Sequence, residues 1–189
     1  MSLPKVVLIS GTNRGIGKAL LQRYLAKPNH IVIGANRDPS ADSSKSLYDL
    51  PTANGTKLIV VKLDATVEPD ALRAVKELQE SHGIEHIDTV IANAGIASIF
   101  PSVAEVKIDD MLAHVRANVF GVVLLYQATL PLLLKAKSPT WATMGSGAGV
   151  FLVSLLLPFT HTGEELELTC PVHSMNMSPA RCTHPPEPE

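Results

Sequence analysis

Three glycines, Gly11, Gly15 and Gly17, follow the apolar run Val6-Val7-Leu8-Ile9 in the segment Ser-Gly-Thr-Asn-Arg-Gly-Ile-Gly, residues 10–17. The chemistry open to such spacing is anion binding. The run is too short for a helix, and the helical pattern Ile16, Ala19, Leu20, Tyr24 starts at once, so the stretch predicts a strand, a tight turn and a helix. At that junction backbone N–H groups can approach a negative group that a Cβ would hold off, and the helix dipole adds to the attraction. The turn can cradle a nucleotide pyrophosphate. Three glycines at a strand end can equally serve only the close packing of a helix on a strand.

Four further apolar runs end in polar or glycine-rich punctuation. Residues 30–35 end in Asn36-Arg37-Asp38-Pro39, residues 57–63 in Asp64, residues 87–92 in Asn93-Ala94-Gly95, and residues 141–144 in Gly145-Ser146-Gly147-Ala148-Gly149. Helical patterns separate them. One, capped by Thr66, has the inner stripe Ala71, Leu72, Val75 and Leu78 and stops at His82-Gly83. Another starts near Ile108, passes His114, Asn118 and Gly121, and runs on as the apolar residues 122–134. Residues 40–56 form a polar connection with one helical turn at Leu47-Tyr48-Asp49-Leu50. Strands alternating with helices of this length require right-handed crossovers and a parallel sheet covered on both faces, so the expected fold is α/β, a Rossmann-type doubly wound parallel sheet. Ligands in such sheets bind at the carboxyl ends of the strands, where all of this punctuation falls.

A chain of 189 residues, 46% hydrophobic and 18% charged, suits a single globular core, and a formal net charge of -2 excludes a general affinity for nucleic acid or an anionic membrane. No secretory signal pattern opens the sequence, so the expected location is cytoplasmic. The apolar residues 122–134 include Tyr126, Gln127, Thr129 and Pro131 and fall short of a membrane span, which makes them a buried or subunit-facing helix of a chain that can form a homo-oligomer. Cys170 and Cys182, near His173 and His184, lack the close pairing of metal ligands, so no metal site is expected.

The positions described so far resemble the short-chain dehydrogenase/reductase family over about residues 4–149, and within it the ketoreductases of fungal polyketide pathways. The resemblance rests on the glycine segment, on Ala-Asn-Arg-Asp-Pro and on Ile-Ala-Asn-Ala-Gly-Ile. It implies an NAD(P)-binding domain over residues 1–149. In it Gly11, Asn13, Arg14, Gly15, Ile16 and Gly17 cradle the cofactor, Asp64 contacts adenine, and Asn93, Ala94 and Gly95 line the cofactor and steady the central strand. Ser10 stands where the family usually has threonine. Two members of the family's catalytic group are matched: Asn118 would hold a water of the proton relay, and Ser146 would hydrogen-bond the carbonyl of a small-molecule substrate. A carboxylate after the second strand suits the ribose 2′-hydroxyl of NAD, whereas a 2′-phosphate needs a cation. Asn36 and Arg37 occupy that turn and Arg14 can reach it, so the expected cofactor is NADP, with NAD, its ribose held by Asp38, as the alternative.

The resemblance departs at Gly149. The family's proton donor is a tyrosine whose pKa is lowered by a lysine one helical turn away. No tyrosine follows Tyr126 and no lysine follows Lys137. Residues 150–159 are a divergent apolar segment, and 160–189 a Pro-, His- and Thr-containing tail with little capacity to pack, so the sheet is expected to be truncated on its C-terminal side. A sharp loss of pattern beside an intact motif is what a retained intron or shifted reading frame produces; a truly diverged chain is the other explanation. The expected function is that of an NADP(H)-dependent short-chain oxidoreductase acting on ketones, impaired in this form, with a catalytically inactive nucleotide-binding or dimerising module as the alternative.

Overall fold

The computed structural model describes residues 3–145. Strands β1 (Lys5–Ser10), β2 (His30–Asn36), β3 (Lys57–Lys62), β4 (Thr89–Ala92) and β5 (Thr140–Thr143) form one sheet in the order β3-β2-β1-β4-β5, every pair parallel. The chain therefore starts in the middle of the sheet, builds outward through β2 and β3, then crosses back to place β4 on the other side of β1. That reversal opens a crevice at the carboxyl ends of β1 and β4, where ligands bind in sheets of this kind.

The burial pattern explains why β1 is central. Val6 and Leu8 point into one apolar cluster, with Ile33, Ile59, Val61, Leu78, Val90, Leu125 and Leu132. Val7 and Ile9 point into a second, with Leu21, Leu25, Val32, Leu47 and Ile91. Alternate residues of one strand thus feed both layers, and burial of each such side chain contributes about 1.5–3 kcal/mol. Helix α1 (Gly15–Leu25) covers the second face, with the buried Leu47 following the short helix α2 (Asp42–Lys45). Helices α3 (Asp70–His82) and α5 (Gly121–Leu133) cover the first.

Several boundaries and faces differ from the sequence pattern, each for a physical reason. The inward stripe of α1 is Gly17, Leu21 and Leu25, while Ile16 is 61% exposed, because the contact of Gly17 with the glycine loop decides which face turns inward. Helix α3 starts at Asp70 and not at Thr66. Pro69 disfavours helical geometry in the residue before it, and Thr66 donates its N–H and hydroxyl to Asp64 Oδ1 at 2.9 and 2.7 Å instead of capping the helix. Its stripe takes in Ala74 and leaves Leu72 65% exposed. Gly83 ends it in the left-handed conformation at φ 63°. The helix of this connection, α2, precedes the helical turn expected at Leu47, and hydrogen-bonded turns continue from it through Leu50, whose N–H donates to Leu47 O at 3.3 Å. β4 begins at Thr89, two residues late, because Asp88 brackets the neighbouring strand. Its Oδ2 accepts from Val6 N at 2.8 Å, and its own N–H donates to Val6 O at 2.9 Å.

Helix α4 (Ile108–Val115), a π-helical turn (Arg116–Phe120) and α5 form one continuous helical run. By length and composition the run Ile108–Leu133, of mean hydropathy 1.3, could cross a membrane. In this structure Leu125, Ala128, Leu132 and Leu133 are its inner stripe and pack on the sheet. Val119, Phe120, Val123 and Tyr126 are exposed, and β5 pairs only with β4 among the described residues.

Gly121 stands where the π turn passes into α5, and a Cβ there would lie 2.6 Å from Ala65 O and 2.7 Å from Ala65 Cβ. The helix reaches the loop after β3 only because that side chain is missing. Gly121→Ala is expected to lower stability by about 1–3 kcal/mol, as overpacking does; a denaturation midpoint equal to the wild type would contradict the close approach.

Candidate functional site

The end of β1 and the loop after β4 are locked by one side chain from each. The Ser10 hydroxyl oxygen accepts from Asn93 N at 3.0 Å and Ala94 N at 2.9 Å, and Asn93 Nδ2 donates to Ser10 O at 2.9 Å and Gly11 O at 3.2 Å. Gly11 sits against this knot at φ 71°, with Ala94 Cα 3.0 Å from where its Cβ would be. A Cβ on Gly17 would fall 2.0 Å from Gly11 O and 2.6 Å from Asn93 Nδ2, so the first turn of α1 is drawn down onto the same knot. Gly15 differs. At φ 56° it has nothing within 4 Å of its Cβ position, so open space lies in front of it at the helix start. No acidic residue occupies the first turn of α1 and no side chain caps it. The three glycines thus divide their work: Gly11 and Gly17 close the packing, and Gly15 leaves the N-terminus of the helix open to an anion.

The end of β2 carries a second bracket. Asn36 Oδ1 accepts from Thr12 N at 2.7 Å and Thr12 Oγ1 at 3.0 Å, and Asn36 Nδ2 donates to Ser44 Oγ at 3.3 Å, all of it buried. Ser44 Oγ in turn donates to Asp38 O at 2.7 Å. Gly34 makes room, since a Cβ there would meet Thr12 Oγ1 at 2.6 Å. Asn36 therefore faces inward and does not share the turn's outer surface with Arg37, as the sequence suggested. Arg37 and Arg14 are exposed and make no ion pair among the described residues. Asn13 Nδ2 donates to Ser43 Oγ at 3.3 Å, bridging the glycine loop to α2. Asp38 Oδ1 accepts both Ser40 N at 2.8 Å and Ser40 Oγ at 2.6 Å, bonds that hold its carboxyl below the ordinary carboxylate value. Thr12, Gly34, Ser40 and Ser44 are parts of the site that pattern reading missed; a buried asparagine ending an apolar strand was the available signal, because it must find partners.

At the end of β3, Asp64 folds its Oδ1 onto Thr66. Behind it lies Asp70, whose side chain is 2% exposed and whose Oδ2 accepts from Lys62 Nζ at 2.6 Å and from Asp64 N at 3.1 Å. Burial opposes the ionised form of Asp70, but the hydrogen bonds from Lys62 and Asp64 N, with the charges of Lys62 and Arg73, outweigh it and keep the carboxyl below its ordinary value.

Asn118 lies in the π turn and uses both ends of its side chain on one residue: Oδ1 accepts from Ile96 N and Nδ2 donates to Ile96 O, each at 2.8 Å. Gly95 lets the amide in, with Asn118 Oδ1 3.1 Å from its Cβ position. One turn earlier His114 Nδ1 bonds Asp110 O at 2.7 Å and Nε2 accepts from Ser98 N at 3.4 Å. Both polar atoms of the Asn118 side chain are thus committed to the Ile96 backbone. Ser146, Cys170, Cys182 and residues 150–189 lie outside the described residues.

The structure thus brings Gly11, Asn13, Arg14, Gly15, Ile16, Gly17, Asn93, Ala94 and Gly95 to the carboxyl ends of β1 and β4, with Arg37 and Asp64 at the same ends of β2 and β3. A short chain dehydrogenase family model matches residues 5–159. The chain belongs to the short-chain dehydrogenase family. The match runs past Gly149, where the sequence motifs depart. Among relatives of this family, a norsolorinic acid ketoreductase of Dothistroma septosporum is 48% identical over 129 residues, covering 68% of this chain and 48% of its own. A short-chain dehydrogenase of Neurospora crassa is 43% identical over 145 residues, covering 76% of this chain and 57% of its own. The chain spans about half the length of these relatives. Among solved structures, an NADPH-bound carbonyl reductase from chicken fatty liver superposes with TM-score 0.71 at 28% identity, covering 82% of this chain and 64% of that one.

Asp70→Asn leaves Lys62 and Asp64 N with a weaker acceptor and is expected to cost about 1–2 kcal/mol, the exposure of Lys62 and Arg73 limiting the effect. Because the folded-state value of Asp70 is lowered, this stabilisation is present above the unfolded carboxyl value of 3.8 and is lost as pH falls below it. Denaturation midpoints of the two proteins should therefore differ at pH 7 and converge on acidification; a constant difference would contradict the assignment.

Proposed function

We propose that this chain binds NADP(H) at the carboxyl ends of β1 to β4, as a short-chain oxidoreductase whose acceptor is a ketone, and that its catalytic power is impaired. The cradle fits such a group. Gly15 faces open space at an uncapped helix start, where a pyrophosphate would be held by backbone N–H groups, and the loop of Asn93, Ala94 and Gly95 is fixed beside it. The observation that carries the choice of NADP is the exposed, unpaired guanidinium of Arg37 beside an inward-facing Asn36, with Arg14 on the adjoining loop. The NADPH bound in the carbonyl reductase and the ketoreductase names of the relatives support the same reading. Asp64, steadied by Asp70, stands where the family contacts adenine.

Bound nicotinamide would supply hydride to the carbonyl carbon. The protein's own task is then to orient the carbonyl and deliver a proton to the oxygen as negative charge develops there. By the family resemblance Ser146 would hydrogen-bond that oxygen, and Asn118 would hold a water of the proton relay. No Tyr-x-x-x-Lys pair is present to complete it. Loss of a positioned acid costs on the order of a hundred- to ten-thousand-fold in rate.

NADPH should quench protein fluorescence in a saturable way, while a panel of aromatic and aliphatic ketones gives no NADPH oxidation above background. Measurable turnover would overturn the impaired reading. Arg37→Ala is expected to weaken NADPH binding roughly tenfold to a hundredfold, as loss of charge-assisted hydrogen bonds does, and to leave NADH binding unchanged. Equal NADPH binding by the two proteins would refute the role of Arg37.

A further inference from the structure

The turn after β2 holds two opposite charges side by side, Arg37 and Asp38, and a dinucleotide site can use only one of them at the ribose 2′ position. A cation there favours a 2′-phosphate, whereas a free carboxylate repels that phosphate and accepts from a 2′-hydroxyl. The structure separates the pair. Asp38 Oδ1 takes two hydrogen bonds from Ser40, one from its hydroxyl at 2.6 Å and one from its N–H at 2.8 Å. The backbone of Asp38 is held as well, since its carbonyl oxygen accepts from the buried Ser44 hydroxyl at 2.7 Å. On the other side of Arg37, Asn36 is buried and bound to Thr12. Arg37 is thus the one polar residue of the turn whose side chain has no partner among the described residues.

We infer that Ser40 is a specificity-determining positioning residue: by tying the Asp38 carboxylate back into its own turn, it keeps Arg37 free for a 2′-phosphate and so sets the preference for NADP(H) over NAD(H). The inference rests on the reading of Arg37 as the 2′-phosphate ligand. In this role Ser40 acts through Asp38 and is not itself a ligand of the cofactor. Its hydroxyl holds the carboxylate that a released Asp38 would offer to the Arg37 guanidinium, and the serine bond is the favoured one because it closes a short local turn, whereas an exposed pair between flexible side chains gains little in water. The lowered titration of Asp38 accords with this, since a carboxylate stabilised by two donors is less free to leave them.

Removing the hydroxyl leaves the Ser40 N–H, with the smaller contributions of the Ala41 backbone and the Lys45 charge, and gives the Asp38 carboxylate more freedom to approach Arg37. In fluorescence titrations of the full chain, Ser40→Ala should therefore lower the ratio of NADH to NADPH dissociation constants about two- to fivefold, the range of an exposed ion pair, chiefly by weakening NADPH. The decisive arm is the same substitution in an Asp38→Asn background, where the carboxylate is gone and Ser40→Ala should leave the ratio unchanged. A merely structural role for Ser40 would shift both backgrounds alike, and that result, or no shift in either, overturns the inference. If Arg37→Ala keeps the wild-type ratio, the 2′-phosphate reading and this inference fall together. If Arg37→Ala loses the preference while Ser40→Ala does not alter it, the inference alone falls.

Discussion

A Cβ on Gly17 would stand 2.0 Å from the carbonyl oxygen of Gly11, so helix α1 can rest on the end of β1 only because residue 17 has no side chain. Much else follows from that contact. It turns Leu21 and Leu25 toward the sheet and Ile16 away from it, and it brings the first turn of α1 against the Asn93 amide. Asn93 already spans from Ser10 O to Gly11 O, and the Ser10 hydroxyl oxygen receives both Asn93 N and Ala94 N. Two strands, one helix start and one loop are fixed relative to one another at a single point. Gly15, two residues before Gly17 at the start of the same helix, faces open space, so the packing constraint also fixes the helix start where we propose that the cofactor binds.

The polar groups around this point fall into two sets with different physical duties. Thr12, Asn36, Ser44 and Asp70 are buried and find their partners within the fold, as buried polar atoms must. They hold the strand ends at fixed heights. Arg14 and Arg37 are exposed and keep their charge unpaired among the described residues. Preorganisation is supplied by the first set, and the charge available to a ligand by the second. Gly121 adds the fourth side of the frame, since it lets the helical run that carries Asn118 touch the loop after β3.

The doubly wound sheet was legible because its signals are redundant: each apolar run closes in a polar or glycine-rich turn, and helical periods separate the runs. The glycines were legible in position and only partly in role. Spacing does not tell that Gly17 serves packing and Gly15 openness, which depends on where Ala94 and Asn93 arrive from a distant part of the chain. Helix faces were misplaced where a long-range contact overrides local pattern, as at Ile16 and Leu72. The Thr66 boundary differs by competition, because the Thr66 N–H and hydroxyl are drawn to Asp64 Oδ1, away from the free N–H groups that a capping oxygen would accept from. Asp70 was invisible as a strut, since a first-turn aspartate is ordinarily a solvated cap, and only the approach of Lys62 and Asp64 N makes it an internal anchor. Ser40 escaped for the same reason in miniature: its meaning depends on which atom of its neighbour it holds.

The cradle lies wholly within the described residues, whereas the family's proton-donating pair is absent from this sequence and the chain spans about half of the relatives it matches. Nucleotide binding, which we propose for this cradle, can therefore be measured apart from catalysis. It is tested most directly by calorimetric titration of the full chain with 2′,5′-ADP and with 5′-ADP, fragments that carry the adenine ribose with and without the 2′-phosphate. Saturable binding of 2′,5′-ADP at one site per chain is expected, at least tenfold tighter than 5′-ADP, the advantage of a charge-assisted contact to Arg37. Equal affinity for the two fragments, or no binding of either, would contradict it.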